Sequence, residues 1–287
     1  MNTKEAAAMP NLFMRFPGGK TKAFTMSYDD GVEQDIRLME IMDKYGLKGT
    51  FNLNSGLFAP EGTTYPQGHI HRRLTREQAV KLYKDSGHEV AVHGLTHPFL
   101  EQLSGGTVVY ELVEDRRRLE ELFGYTVRGM AYPFGTTGDT VVNLLREAGF
   151  RYARTTVSTE NFAIPMDWLR LPATCHHNNP KLMQLGEDFL NLRGERGPWL
   201  FYLWGHSYEF EQNDNWESIE RFAEKISGNP DVWYATNIEI FDYISAYKQL
   251  RFTVDMTLVE NPTALDLYFV YDGEVRRVNA GQSLRLI

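Results

Sequence analysis

Between residues 22 and 250, short apolar runs alternate with longer stretches whose apolar residues recur every three to four positions. The runs at 23–28, 50–53, 89–93, 129–132, 151–154, 199–204 and 232–235 have strand length. Helical patterns lie between most of them. Residues 35–45 carry Ile36, Met39 and Ile41 ahead of Gly46, and Thr75-Arg-Glu-Gln78 is a capping box that opens the next helix. Residues 108–123 place Leu112, Leu119, Leu122 and Phe123 at helical spacing before Gly124. The pattern at 140–148 stops at Gly149, that at 219–226 stops near Gly228, and 238–250 is the last helix. Strands alternating with helices predict a parallel sheet with right-handed crossovers. Seven such units predict an α/β fold closed, or nearly closed, into a barrel.

After Leu250 the pattern changes. Residues 251–260, 264–271, 274–278 and 283–286 read as extended, with Asn261-Pro262 and Asp272-Gly273 as turns and no helix between them. The expected organisation is an N-terminal arm (1–21), a barrel (22–250) and a small antiparallel β appendage (251–287). The appendage either covers the barrel or builds a homo-oligomer contact.

Composition narrows the function classes. The chain has 287 residues, 42% of them hydrophobic and 24% charged, which is ordinary for a globular protein. Its net charge of −8 argues against a nucleic-acid partner, because phosphate contacts need clustered Lys and Arg. The run Arg116-Arg117-Arg118 sits among Glu111, Glu114, Glu120 and Glu121 and reads as a solvated helix face. Cys175 is the single cysteine, so an intrachain disulfide is excluded. No apolar run approaches the ~20 residues a membrane span needs, and the first residues lack a continuous apolar segment. The expected location is the cytoplasm, with no membrane partner.

The candidate chemistry collects at the C-terminal ends of the predicted strands. Ser27-Tyr28-Asp29-Asp30-Gly31 follows the first strand, and its paired carboxylates call for a compensating cation or proton. Taken alone it is a turn. Glu89-Val-Ala-Val-His93-Gly-Leu-Thr-His97 ends another strand with two histidines four residues apart, a spacing at which both can share a metal. Arg128-Gly-Met-Ala-Tyr-Pro-Phe-Gly135 leaves a third strand, and Leu203-Trp-Gly-His206 ends a late one. In a parallel barrel these strand ends share one rim.

The set resembles the polysaccharide deacetylase family (NodB homology, carbohydrate esterase family 4). Ser27–Gly31 matches its Thr-Phe-Asp-Asp-Gly block, 93–97 its His-x-x-x-His block, 130–135 its third block and 203–206 its Leu-x-x-His block. The resemblance implies a distorted (β/α)7 barrel with one divalent metal, most often zinc, held by Asp30, His93 and His97. It implies Asp29 as general base toward the metal's water and His206 as general acid. The oxyanion and pocket positions would involve Tyr132, Pro133 and Phe134, with Trp168 and Trp204 shaping the pocket. The implied reaction removes acetyl from an N-acetylated sugar or oligosaccharide.

Two departures stand out. Ala131 occupies the position of the family's base-orienting Arg, and Arg170 is the expected replacement. Asp167-Trp168 resembles a fourth block in which the Asp tunes the acidic His. His176 and His177 are expected on the substrate rim or in a structural role, while His69 and His71 lie on a loop with no assigned chemistry. The alternatives are a same-fold hydrolase of a non-sugar amide, cyclic imide or ureide, and a non-catalytic carbohydrate-binding protein.

Overall fold

The computed structural model describes residues 11–194 and 197–287. Its strands are β1 (Leu12–Arg15), β2 (Lys22–Asp29), β3 (Gly49–Leu53), β4 (Glu89–Val92), β5 (Gly129–Ala131), β6 (Tyr152–Ser158), β7 (Leu171–Ala173), β8 (Cys175–His176), β9 (Trp199–Gly205), β10 (Val232–Tyr234), β11 (Arg251–Phe252), β12 (Leu258–Glu260), β13 (Leu267–Tyr271), β14 (Glu274–Val278) and β15 (Ser283–Arg285). The helices are α1 (Asp35–Lys44), α2 (Arg76–Tyr83), α3 (Gly105–Phe123), α4 (Asp139–Glu147), α5 (Leu182–Asn191), α6 (Tyr208–Gln212), α7 (Trp216–Ile226) and α8 (Asn237–Tyr247).

The large sheet is parallel and runs β7-β6-β5-β4-β3-β2-β9-β8. Its ends, β7 and β8, are consecutive in the chain and separated only by Thr174, whose N–H donates to Tyr202 O at 2.8 Å. That continuity closes the barrel. The seventh barrel strand is therefore the β7–β8 segment. The run expected at 232–235 forms β10, which pairs only with the first residues of β2.

Strand alternation sorts the side chains into two layers. Phe24, Met26, Tyr28, Phe51, Leu53, Val90, Val92 and Leu203 face outward and pack beneath the helices with Leu38, Met42, Leu119, Leu145 and Phe222. Full burial of a Leu or Phe contributes about 1.5–3 kcal/mol. Because this outer layer supplies the apolar burial, the barrel interior can hold polar groups, among them Thr25, Ser27, Asp29, Thr50, Asn52, Glu89 and Arg154, all buried.

The N-terminus of α8 plugs the lower end of the barrel. Asn237 accepts from Thr25 Oγ1 at 2.8 Å and donates to Tyr202 Oη at 2.7 Å, and Ile238 N donates to Glu89 at 2.9 Å. Within the stretch expected as an N-terminal arm, β1 pairs antiparallel with β13 in a β1-β13-β14 sheet, while β11, β12 and β15 form a second small sheet. Tyr243 of α8 ties the β1-β13-β14 sheet to the barrel, donating to Arg15 O at 2.8 Å and accepting from Tyr268 N at 3.0 Å. Among the described residues no helix is long and apolar enough to cross a membrane.

Candidate active site

The C-terminal ends of β2, β4 and β9 deliver the candidate residues to one rim. Asp29 is the last residue of β2 and follows Thr25 and Ser27 on its inward face. Asp30 then turns out of the strand at φ 86°, His97 lies at φ 57° and Phe134 at φ 59°. Left-handed backbone is unfavourable for such residues and persists where the surroundings over-determine it. All three positions fall at one site.

Asp30, His93 and His97 each present a ligand atom within 4.8 Å of the others. His93 Nδ1 is committed to Ala131 O at 2.9 Å, which leaves Nε2 facing the pocket, 3.9 Å from Asp30 Oδ1. Burial lowers the pKa of both histidines, that of His97 to about 4, where the neighbouring His93, which disfavours a second proton beside it, adds to the effect. Burial opposes ionisation of Asp30, but the hydrogen bond from His71 and the nearby Arg73 and His93 outweigh it and hold its pKa far below the usual range. Two neutral imidazoles and one carboxylate are the donor set of an open catalytic zinc-type site. These residues fit a divalent metal.

Asp29 sits beside this triad. Its Oδ2 is 3.8 Å from His93 Nε2 and 3.8 Å from His206 Nε2. Asn52 donates to Oδ1 at 2.8 Å, and Arg154 Nη2 donates to both carboxylate oxygens. Burial pushes the Asp29 pKa up, but Arg154 above all, with His93 and His206, brings it below the ordinary value. The guanidinium of Arg154 lies 4.5 Å over the ring of the buried Trp204.

The cation on Asp29 is therefore Arg154 and not Arg170. Arg170 pairs instead with Asp139 and with Asp167 at 3.2 Å, on the surface. Ala131 and Arg154 are register partners on β5 and β6. Arg154 was not singled out from the sequence; inward alternation from Tyr152 along β6 was the signal available for it.

His206 also has a different partner from the one expected. Asp167 spends its carboxylate on Leu169 N at 3.0 Å and on Arg170. The carboxylate at His206 is Glu209, 3.4 Å from Nδ1 and one helical turn further along the chain. Glu209 also faces His176 Nε2 at 3.2 Å and His177 Nε2 at 2.9 Å. With Glu209 on its Nδ1 side, His206 turns Nε2 toward Asp29. Burial lowers the His206 pKa, but Glu209, Asp29 and Asp30 outweigh it and raise it. Ser207 donates to the buried Asp35 at 2.5 Å and anchors this segment.

Several expected pocket residues take structural places. Tyr132 is buried, with its hydroxyl donating to Leu169 O at 2.7 Å. Trp168 packs edge-on against Phe241 of α8, with ring centroids 5.3 Å apart. His177 is buried, stacked on Tyr28, so it does not line the rim. Its ring leaves no space at Gly205, where a Cβ would lie 2.0 Å from Nδ1. His176 is half-buried, and its Nδ1 accepts from Asn178 N at 3.1 Å, so both its nitrogens are engaged. Pro133 is buried, whereas Phe134 is exposed and packs on His97 at 4.5 Å between ring centroids.

The polysaccharide deacetylase family profile matches residues 17–153, so this part of the chain is similar to a polysaccharide deacetylase domain. The match includes Asp29, Asp30, His93, His97 and Phe134. Polysaccharide deacetylases are hydrolases acting on carbon–nitrogen bonds, and pseudoenzymes also occur among their relatives. The uncharacterized protein YlxY of Bacillus subtilis is 26% identical over 143 residues, which are 50% of this chain and 40% of YlxY. The chain thus spans less than half the length of that curated relative. A crystal structure from Mycobacterium smegmatis, assigned as a polysaccharide deacetylase, has the same fold at TM-score 0.59 and 21% identity. It covers 84% of this chain and 95% of its own. A family 4 carbohydrate esterase pseudoenzyme from Bacillus anthracis aligns at TM-score 0.47 and 21% identity, over 80% of this chain and 68% of its own.

Proposed function

We propose that this chain is a metal-dependent deacetylase of N-acetylated sugars or oligosaccharides, with zinc the metal that suits its donors. The observation that carries the reading is the position of Asp29, 3.8 Å from both His93 of the metal-type triad and His206. Asp30, His93 and His97 would hold the cation. When bound, it supplies Lewis acidity to the acyl carbonyl and to water. Arg154 keeps Asp29 ionised and fixed, so its carboxylate can accept the proton of the attacking water. His206, with Glu209 on Nδ1, carries its mobile proton on Nε2 and delivers it to the departing amine. The turn at Phe134 closes the pocket beside His97.

Acetate release from N-acetyl and O-acetyl sugars, measured beside ring-opening of cyclic imides, tests the reading. The expected result is turnover of N-acetyl sugars. Asp29→Asn should keep metal and lose activity by about 10²–10⁴-fold, the contribution of a general base. Asp30→Asn should lose the metal. Full activity in Asp29→Asn, or turnover of imides alone, overturns the assignment.

A further inference from the structure

We infer that His71 and Arg73, on the connection between β3 and α2, belong to the metal centre. His71 positions the metal carboxylate Asp30, so that metal affinity and the ordering of this loop are one linked equilibrium. The inference rests on the metal-site reading above.

The segment His71-Arg72-Arg73 is extended beside the turn that follows β2. Glu33 N donates to Arg72 O at 2.7 Å and Leu74 N to Gly31 O at 3.0 Å, while Val32 and Arg73 form an antiparallel bridge. Extended backbone sends alternate side chains to opposite sides. Residues 71 and 73 accordingly share one side and both reach Asp30. His71 Nε2 lies 3.1 Å from Asp30 Oδ2, and Arg73 Nη2 donates to Oδ1 at 3.1 Å. Arg73 Nη1 donates to the carbonyl of Asp30 and, at 2.7 Å, to Asn54 Oδ1, which braces the left-handed turn. Arg72 points the other way. It is clamped between Glu33 at 2.7 Å and Glu211 of α6 at 2.7 Å, while Gln34 donates to Ile70 O at 2.6 Å.

The loop is thus tied down on one side by carboxylates and on the other by the metal ligand itself. The two oxygens of Asp30 have distinct surroundings. Oδ1 lies 3.9 Å from His93 Nε2, whereas Oδ2 is turned to His71, whose ring packs edge-on against Tyr208 at 4.9 Å. His71 falls outside the group of donors that lie within 4.8 Å of one another, so its place is behind the ligand. Partners that hold a ligating group set its orientation, and losing one weakens metal binding by about 10–100-fold.

The test is metal affinity, measured by chelator competition with Zn2+ and Co2+ on the full chain. His71→Ala should bind about 10–100-fold more weakly than the unsubstituted protein. His71→Gln, which restores an N–H donor, should recover most of that loss. Hydrogen exchange of residues 69–74 should slow on metal addition in the unsubstituted protein and respond less in His71→Ala. Equal affinity in His71→Ala, or equal weakening by Ala and Gln, overturns the inference while leaving the deacetylase reading standing. If the unsubstituted protein binds no metal, the deacetylase reading itself fails.

Discussion

Ala131 and Arg154 sit opposite one another on adjacent parallel strands, so their side chains leave the sheet on the same face. The charge missing at position 131 is restored across one strand spacing by a guanidinium that grips both oxygens of Asp29. Removing one partner of a buried ion pair leaves an uncompensated charge and costs about 3–5 kcal/mol. Arg154→Met should therefore lower the urea midpoint and reduce kcat by about 10²-fold while metal content stays constant. Arg170→Met should change neither, because its partners are Asp139 and Asp167 at the surface. The double variant Ala131→Arg/Arg154→Ala moves the cation back across the strand and should recover part of the lost rate. No recovery would mean that the guanidinium is fixed by contacts special to β6, such as the Trp204 ring. Asp29, Asp30, His93, His97 and His206 were legible because each follows a strand in a recognisable local pattern. Arg154 was not, since its role depends on strand register.

At the scale of elements, α6 matters because it begins just past β9 and returns Glu209 to the histidine it follows. A carboxylate on Nδ1 both orients the imidazole and stabilises its protonated form. Glu209→Gln should slow release of a poor leaving group, the amine of an N-acetyl sugar, by about 10²-fold. An activated aryl acetate, whose leaving group needs no proton, should react at nearly the unsubstituted rate. Asp167→Asn should leave both rates unchanged, since Asp167 caps Leu169. Equal losses on both substrates would assign Glu209 a purely structural role. The alternation of strands and helices, the capping box at Thr75 and the β-rich tail were readable from periodicity. The closing strand was not, because β7 and β8 have only three and two residues, and Pro172 interrupts their pattern. The partner of β1 was equally hidden, since it lies at the far end of the chain.

Across the whole molecule, the barrel has its chemistry at one end and its structural closure at the other, and Glu89 is the joint. Its carboxylate accepts from Tyr152 at 2.7 Å, from Thr50 at 2.8 Å and from the N-terminus of α8 at 2.9 Å. Burial raises its pKa to about 7 from 4.5, against the opposing influence of those hydrogen bonds. A carboxyl whose folded pKa is raised binds its proton more tightly in the native state. Its stabilising contribution is complete below the unfolded pKa near 4.5 and is lost as pH rises through about 7. The lost amount is at most about 3–4 kcal/mol, at about 1.4 kcal/mol per unit. Buried histidines such as His97 and His177, with pKa lowered to about 4, act in the opposite sense, gaining stability as pH rises. The total pH dependence therefore mixes both, and a single isosteric variant separates them. Glu89→Gln keeps an acceptor for α8 and cannot ionise. Its deficit relative to the unsubstituted protein should be larger at pH 5 than at pH 8, where it approaches zero or reverses. Urea unfolding of both proteins at the two pH values measures this directly. A deficit that does not change with pH would show that Glu89 titrates normally and that the hydrogen bonds to α8, rather than burial, govern its charge.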